Sequence, residues 1–320
     1  MAFCPKIKLV AVPQWKHHHS GWPWVINGLR GLETSDGIAC YPALEEFLNS
    51  RPRRTKMGED FIGFLHNTPF HPDIKKYRSS LSLEDVFNTR IWLKNIEKCR
   101  GLFVMSEYCK NYIDKTLNHT IPVVALKHPI QSTLRQFSFD KFVENEDKQI
   151  LSIGHWLRNY DIFLEDVVVP NMFRKVFLIG GAIEYDEEYF SSKLDGGFLQ
   201  SVEVKVVADE EYENLLERNV VFLNLYDASA NNVVVECIVR NTPLVINRLA
   251  ALEEYLGKDY PLFYDSMEEA QQLLFDLDLL KIGHKYLVDL DKNDLTLSYF
   301  LNQFCRSEVY KNLPGKCYFL

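Results

Sequence analysis

The feature that most constrains this chain is a rhythm. Short apolar runs of strand length alternate with amphipathic helical stretches, and the pattern stops near residue 130 and restarts near 149. In the first pass, "KIKLVAVP" (6–13), "DFIGFLHN" (60–67), "GLFVMS" (101–106) and "IPVVALKHP" (121–129) read as strands. Residues 22–32 and "EYCKNYIDKTL" (107–117) read as helices, and 82–98 as a helix opened by Ser82 with Asp85 three positions on, a capping box. In the second pass the strands are "QILSIG" (149–154), "KVFLIGG" (175–181), "VEVKVV" (202–207), "VVFLNLY" (220–226), "TPLVIN" (242–247) and "PLFYD" (261–265). The helices are 209–218, 232–241 stopped by Asn241, 249–257 stopped by Gly257, 266–280, and a tail over 294–313. Residues 131–148 are polar and aperiodic, so they read as a linker. Strand–helix alternation with β-rich apolar runs predicts parallel sheets covered on both faces. The fold class expected is α/β, with two Rossmann-like doubly wound domains. In such sheets ligands gather beyond the carboxyl ends of the strands, where strand order reverses, which predicts a site in a central cleft between the halves.

Composition narrows the function classes. A chain of 320 residues, 47% hydrophobic and 25% charged, has material for two globular cores. No apolar run approaches the ~18 residues of a membrane span. The N-terminus carries Pro5 and two lysines inside a short apolar stretch, which argues against a signal peptide and for a cytoplasmic protein. The seven cysteines are scattered without CxxC spacing, so they are expected to be reduced thiols. The net charge of −8 is uneven: residues 1–147 hold 20 Lys and Arg against 16 Asp and Glu, whereas 148–320 hold 16 against 28. The small basic excess, densest at Arg51, Arg53, Arg54 and Lys56, lacks interleaved aromatics, so nucleic acid is not the expected partner.

The stretch "VKVVADEEYENLLERNVVFLNLYDASANNVVVECIVRNTPLVINRLAALEEYLG" (204–257) resembles the nucleotide-sugar half of GT-B glycosyltransferases, particularly the retaining family four. That family shows a DEEL-type helix start, an aliphatic strand, an EGFGxPxxEA motif, a GTPVV strand and a GGxxE turn. Here Asp209-Glu210-Glu211 stand for the first element, Glu236 for the second glutamate of the EGFG motif, Thr242-Pro243 for the TP, and Glu254 for the last glutamate. Elsewhere "GFLHNTPFHP" (63–72) resembles the strand-plus-histidine element facing the donor sugar, and "ILSIGHWLRNYDIFLE" (150–165) resembles the opening of the second domain. The resemblance implies an N-terminal acceptor-side domain over 1–147, a nucleotide-sugar domain over 148–293, and a C-terminal helix in 294–320 crossing back onto the first. It implies a hexosyl- or pentosyltransferase that needs no cofactor or metal. The co-substrate would be a nucleotide sugar (UDP- or GDP-linked), and the acceptor a glycan, glycoprotein or lipid-linked hydroxyl. Without a transmembrane segment, membrane contact would be peripheral.

The resemblance also assigns roles. Glu236 would accept the ribose hydroxyls, and Gly154, Arg158, Asn231 and Asn232 would hold the diphosphate. Arg158 supplies a bidentate guanidinium, and the 232–241 helix supplies the positive pole of its N-terminus, with N–H groups from Ala230 to Val233. His66, at the end of a strand, would hydrogen-bond the donor sugar or take a proton. Three departures stand out. Ala228 occupies the place of the family's first glutamate, with Asp227 beside it, the glycines of the EGFG motif are replaced within "ASANN", and the diphosphate-binding basic pair is reduced to Arg158. The family implies retention, whereas the histidine-rich loop 15–24 leaves room for inversion.

The loop "WKHHHSGWPW" (15–24) follows the first strand. Adjacent histidines do not readily converge on one ion, so a metal site is not expected. In inverting GT-B enzymes a histidine of this loop is the base for the acceptor hydroxyl. His19 is therefore the candidate base, with His17, His18 and Ser20 as acceptor-side contacts; the alternative is a polar surface loop. His71 and His128 both precede proline and are expected to shape turns. Asp276/Asp278 and Asp289/Asp291 end no buried strand and read as solvated surface. Two rival functions remain: a nucleotide-sugar epimerase or hydrolase on the same fold, and a nucleotide- or glycan-binding protein without chemistry.

Overall fold

The computed structural model describes residues 4–13, 21–50, 57–74, 80–131, 134–179 and 202–314. The chain forms two compact units: Met1–Gln131 with Asp227–Ala230 and Asn293–Leu320, and Ser132–Tyr226 with Asn231–Lys292.

Among the described residues, the first unit carries a five-stranded sheet of β1 (Ile7–Leu9), β2 (Ile38–Tyr41), β3 (Phe61–Phe64), β4 (Cys99–Val104) and β5 (Val123–Ala125). Its spatial order is the sequence order, and every pairing is parallel. Strand periodicity sends alternate residues to opposite faces. Ala39 and Tyr41 join the layer that holds Leu44, Leu48, Val86, Trp92 and Ile113, whereas Cys40 joins the layer of Trp22, Val25, Phe300 and Phe304. The second face is closed by the helix Trp22–Leu29 together with the C-terminal helices Leu297–Arg306 and Glu308–Lys311. Phe304 stacks on Phe64 at 5.7 Å and lies 4.8 Å from Phe103. Each such buried side chain contributes roughly 1.5–3 kcal/mol. Gly101 is where the chain's end meets the sheet: a Cβ there would stand 2.4 Å from a Val309 methyl.

The second unit is built on a six-stranded parallel sheet: β6 (Lys148–Ile153), β7 (Phe173–Leu178), β8 (Val202–Lys205), β9 (Val220–Leu223), β10 (Leu244–Asn247) and β11 (Phe263–Tyr264). Its order is β11-β10-β9-β6-β7-β8, so direction reverses between β6 and β9. Val220 to Leu223 and Leu244 to Ile246 are fully buried, as expected for strands covered on both faces.

Helix limits follow local chemistry. Ser82 and Asp85 form the reciprocal capping box. The helix over 82–98 is nevertheless broken into Leu83–Asn88, Arg90–Leu93 and a 3-10 turn, because Thr89 is extended and recaps the chain by accepting from Trp92 N–H. Likewise 266–280 divides at Asp276, whose side chain accepts from Asp278 and Leu279 N–H and starts Leu277–Asp289. Asn241 takes the left-handed conformation (φ 62°) that ends Asn232–Arg240. The 131–148 stretch differs from a plain linker: Phe139–Glu144 is helical, capped by Ser138, and buries Phe142. The thiols also differ from expectation at one place. Cys4 is disulfide-bonded, while Cys40, Cys99, Cys109, Cys237 and Cys305 are buried thiols outside any disulfide. No described helix is long and apolar enough to cross a membrane.

Candidate functional site

The second unit brings its sequence-predicted residues together at the strand-order reversal. The loop after β6 carries Gly154 and Arg158, and the segment after β9 leads to Asn231 and the helix Asn232–Arg240. Gly154 sits at φ +75°, a conformation costly for any residue with a Cβ. A Cβ there would also lie 3.2 Å from the Arg158 Cζ, so the glycine lets the guanidinium pack against the backbone. Arg158 is buried; its Nη1 donates to the Trp156 carbonyl (2.9 Å) and its Nη2 to Asn231 Oδ1 (3.2 Å). Asn231 is the helix N-cap, and the same oxygen accepts from the N–H groups of Val233 and Val234. The Val233 N–H, expected to face an anion, is thus taken by the cap. The guanidinium and the positive pole of a nine-residue helix lie side by side, an arrangement that a bound anion stabilises.

Glu236 lies one turn further along this helix and is 3% exposed. Its Oε2 accepts from the Tyr212 hydroxyl (3.0 Å) and stands 3.8 Å from Arg240 Nε. Arg240, fully buried, is held in a fork by Glu213 at 2.6 and 2.5 Å. Burial, and then the Glu236 charge, push the Tyr212 hydroxyl pKa well up, so it remains a donor. Glu236 therefore belongs to a buried Tyr–Glu–Arg–Glu network that joins Asp209–Arg218 to Asn232–Arg240.

In the first unit, His66 lies just past β3 and pairs with Glu45, a residue the sequence reading did not single out. Glu45 Oε1 meets both the His66 backbone N–H (2.9 Å) and Nδ1 (3.0 Å). The signal in sequence was faint, since Glu45 looks like one more acidic residue in a first helical turn. His128 is buried with its ring 5.8 Å from Trp22, and His71 is bonded to Ser80, with burial lowering its pKa.

Ala228 is buried, and its N–H donates to Asp227 Oδ1. Asp227 Oδ2 accepts from the Tyr108 hydroxyl (3.2 Å), so this carboxylate is engaged within the first unit. Burial raises its pKa, opposed by hydrogen bonds from Ala228, Tyr108 and Thr68. His17, His18, His19 and Ser20, and the Arg51–Lys56 cluster, lie outside the described residues. Among the described residues no cluster of three or more His, Cys, Asp or Glu is arranged for a metal ion.

No protein-family model and no curated protein sequence matches the chain. Solved structures do match in fold. Staphylococcus aureus TarM, in a complex with fondaparinux, α-GlcNAc-glycerol and UDP, superposes with a TM-score of 0.60 at 12% identity, over 87% of this chain and 56% of that one. Anabaena HepE with UDP and glucose gives 0.61 at 9% identity, over 84% and 76%. The pneumococcal O-GlcNAc transferase GtfA with UDP and GlcNAc gives 0.58 at 9%, over 90% and 59%. The chain thus spans little more than half the length of TarM. At these identities the likeness is one of fold: two parallel-sheet α/β units of the GT-B class.

Proposed function

We propose that the chain is a glycosyltransferase that moves a sugar from a UDP- or GDP-linked donor to a hydroxyl of a glycan, glycoprotein or lipid-linked acceptor, with retention and without an essential metal. The observation that carries this reading is the cluster of Gly154, Arg158 and Asn231 at the β6/β9 reversal. A doubly wound sheet binds its ligand at that point. As the bond from the sugar to the diphosphate breaks, negative charge grows on the leaving phosphate. Arg158 and the Asn232–Arg240 helix pole are fixed beforehand to stabilise it, so no charge has to be reorganised during the step. Asn232, first in that helix, adds a polar group beside the phosphates. Glu236 is assigned to the ribose, with its carboxylate oriented by Tyr212 and Arg240. His66 is assigned to a sugar hydroxyl. His19, with His17, His18 and Ser20, is assigned to the acceptor side. The UDP bound to several fold neighbours supports the choice of donor class.

The experiment is product analysis with UDP- and GDP-sugars, with and without glycan acceptors, in the presence of EDTA. Acceptor-dependent release of nucleoside diphosphate is expected. Release that needs no acceptor points instead to hydrolysis. A second reading, binding without chemistry, is favoured by one observation: Ala228 stands where the family's first glutamate belongs, and Asp227 is engaged by Tyr108 and Ala228. Nucleotide-sugar binding with neither transfer nor hydrolysis would establish that reading.

A further inference from the structure

We propose that Glu45 is the positioning residue of His66, and that the two form a carboxylate–imidazole pair that fixes the His66 tautomer toward the sugar hydroxyl. This rests on the assignment of His66 given above. Both residues lie past the carboxyl ends of neighbouring parallel strands, Glu45 after β2 and His66 after β3. That is the end of a parallel sheet at which α/β proteins bind ligands.

Three restraints converge on the imidazole. Glu45 Oε1 accepts the His66 backbone N–H, so the oxygen is acting as an acceptor, and Nδ1 at 3.0 Å is its second donor. The proton on Nδ1 leaves the Nε2 lone pair as the acceptor of the neutral ring. The Trp22 indole meets the imidazole edge-on at 4.4 Å and 81°. Trp22 is itself anchored by its Nε1–H donating to the Pro42 carbonyl at 2.8 Å, in the loop between β2 and the Glu45 helix. The ring therefore has neither a free tautomer nor a free rotation.

Glu45 is costly where it stands, which separates this pair from an ordinary surface contact. The residue is 3% exposed, and its Oε2 is buried with no hydrogen-bond partner among the described residues. A buried acceptor left unpaired is a rare and destabilising feature that calls for a reason. Replacement by glutamine retains one acceptor oxygen and makes the second atom a donor. Replacement by alanine removes the acceptor altogether.

Two measurements on the full chain test the proposal. Long-range proton–nitrogen NMR of the histidine rings, assigned with His66→Gln, reads the tautomer without any substrate. The wild type and Glu45→Gln are expected to hold the proton on Nδ1, whereas Glu45→Ala shifts it toward Nε2. In parallel, kcat/KM for nucleotide-sugar turnover is expected to fall up to about 10-fold in Glu45→Ala, the range for losing one hydrogen bond, and to be largely restored in Glu45→Gln, which keeps an acceptor oxygen. A wild-type His66 protonated at Nε2, or an alanine variant with unchanged tautomer and turnover, overturns the pairing. An intact Nδ1 tautomer without turnover of any nucleotide sugar overturns the assigned function and leaves the pair standing.

Discussion

Replacing Gly154 by alanine tests the loop on which the proposed donor site is built. Two costs can be read from the structure. The backbone at φ +75° is left-handed, which costs an L-residue about 1–2 kcal/mol. The new methyl would also meet the Arg158 guanidinium carbon at 3.2 Å, so the arginine must yield by a few tenths of an ångström. The variant is therefore expected to lose about 1–2 kcal/mol, or roughly 3–6 °C in Tm for a unit of this size. Gly58→Ala, where a Cβ would meet nothing within 4 Å, is the control and should unfold close to wild type. The second consequence concerns ligand. A displaced guanidinium disturbs the Arg158 bond to Asn231 Oδ1, so UDP is expected to raise the Tm of Gly154→Ala less than that of Gly58→Ala. Thermal unfolding of both variants with and without UDP reads both effects. Equal Tm values for the two variants would refute the left-handed loop; equal stabilisation by UDP would refute its place at the phosphates.

Other consequences follow from named contacts. Glu213→Ala leaves the fully buried Arg240 with Glu236 as its remaining described carboxylate, and is expected to cost about 3 kcal/mol by urea unfolding. Asp227 has a raised pKa, so its ionised form weakens the fold: that cost is absent below its unfolded pKa and grows as pH rises through the folded one. Asp227→Asn is therefore expected to gain stability relative to wild type near neutral pH and to lose that advantage below about pH 4; a pH-independent difference would contradict it. Gly101→Ala presses on Val309 and is expected to cost about 1–3 kcal/mol, with proteolysis detecting release of the C-terminal helices from the sheet.

Much of this was legible because local and tertiary signals agree. The helix Asp209–Arg218 has its expected limits, and Asn241 stops the next helix through a left-handed cap that asparagine tolerates. Legibility failed where elements are short. The strand Ile38–Tyr41 and helix Leu44–Ser50 occupy too few residues to establish a period, with Pro42 between them. The six-residue helix Phe139–Glu144 is fixed by tertiary bonds, including Ser138 N–H to the Glu217 carbonyl, rather than by its own pattern. The same limit applied to the site. Arg158 and Asn231 are 73 positions apart, and sequence could place each at a strand end without showing that they touch. Glu45 was invisible because a buried acid and a solvated one are spelled alike. Glu236 was visible through its resemblance to a family motif, yet its buried bond to Tyr212 depends on two helices packing together.

The central claim is that the donor diphosphate binds at the β6/β9 reversal, on Arg158. Isothermal titration of UDP into the wild type and Arg158→Met tests it most directly. The wild type is expected to bind UDP, with a Kd about 10- to 100-fold weaker in the variant, the loss expected for a charged hydrogen-bonding fork. Equal affinity in a folded Arg158→Met protein would contradict it.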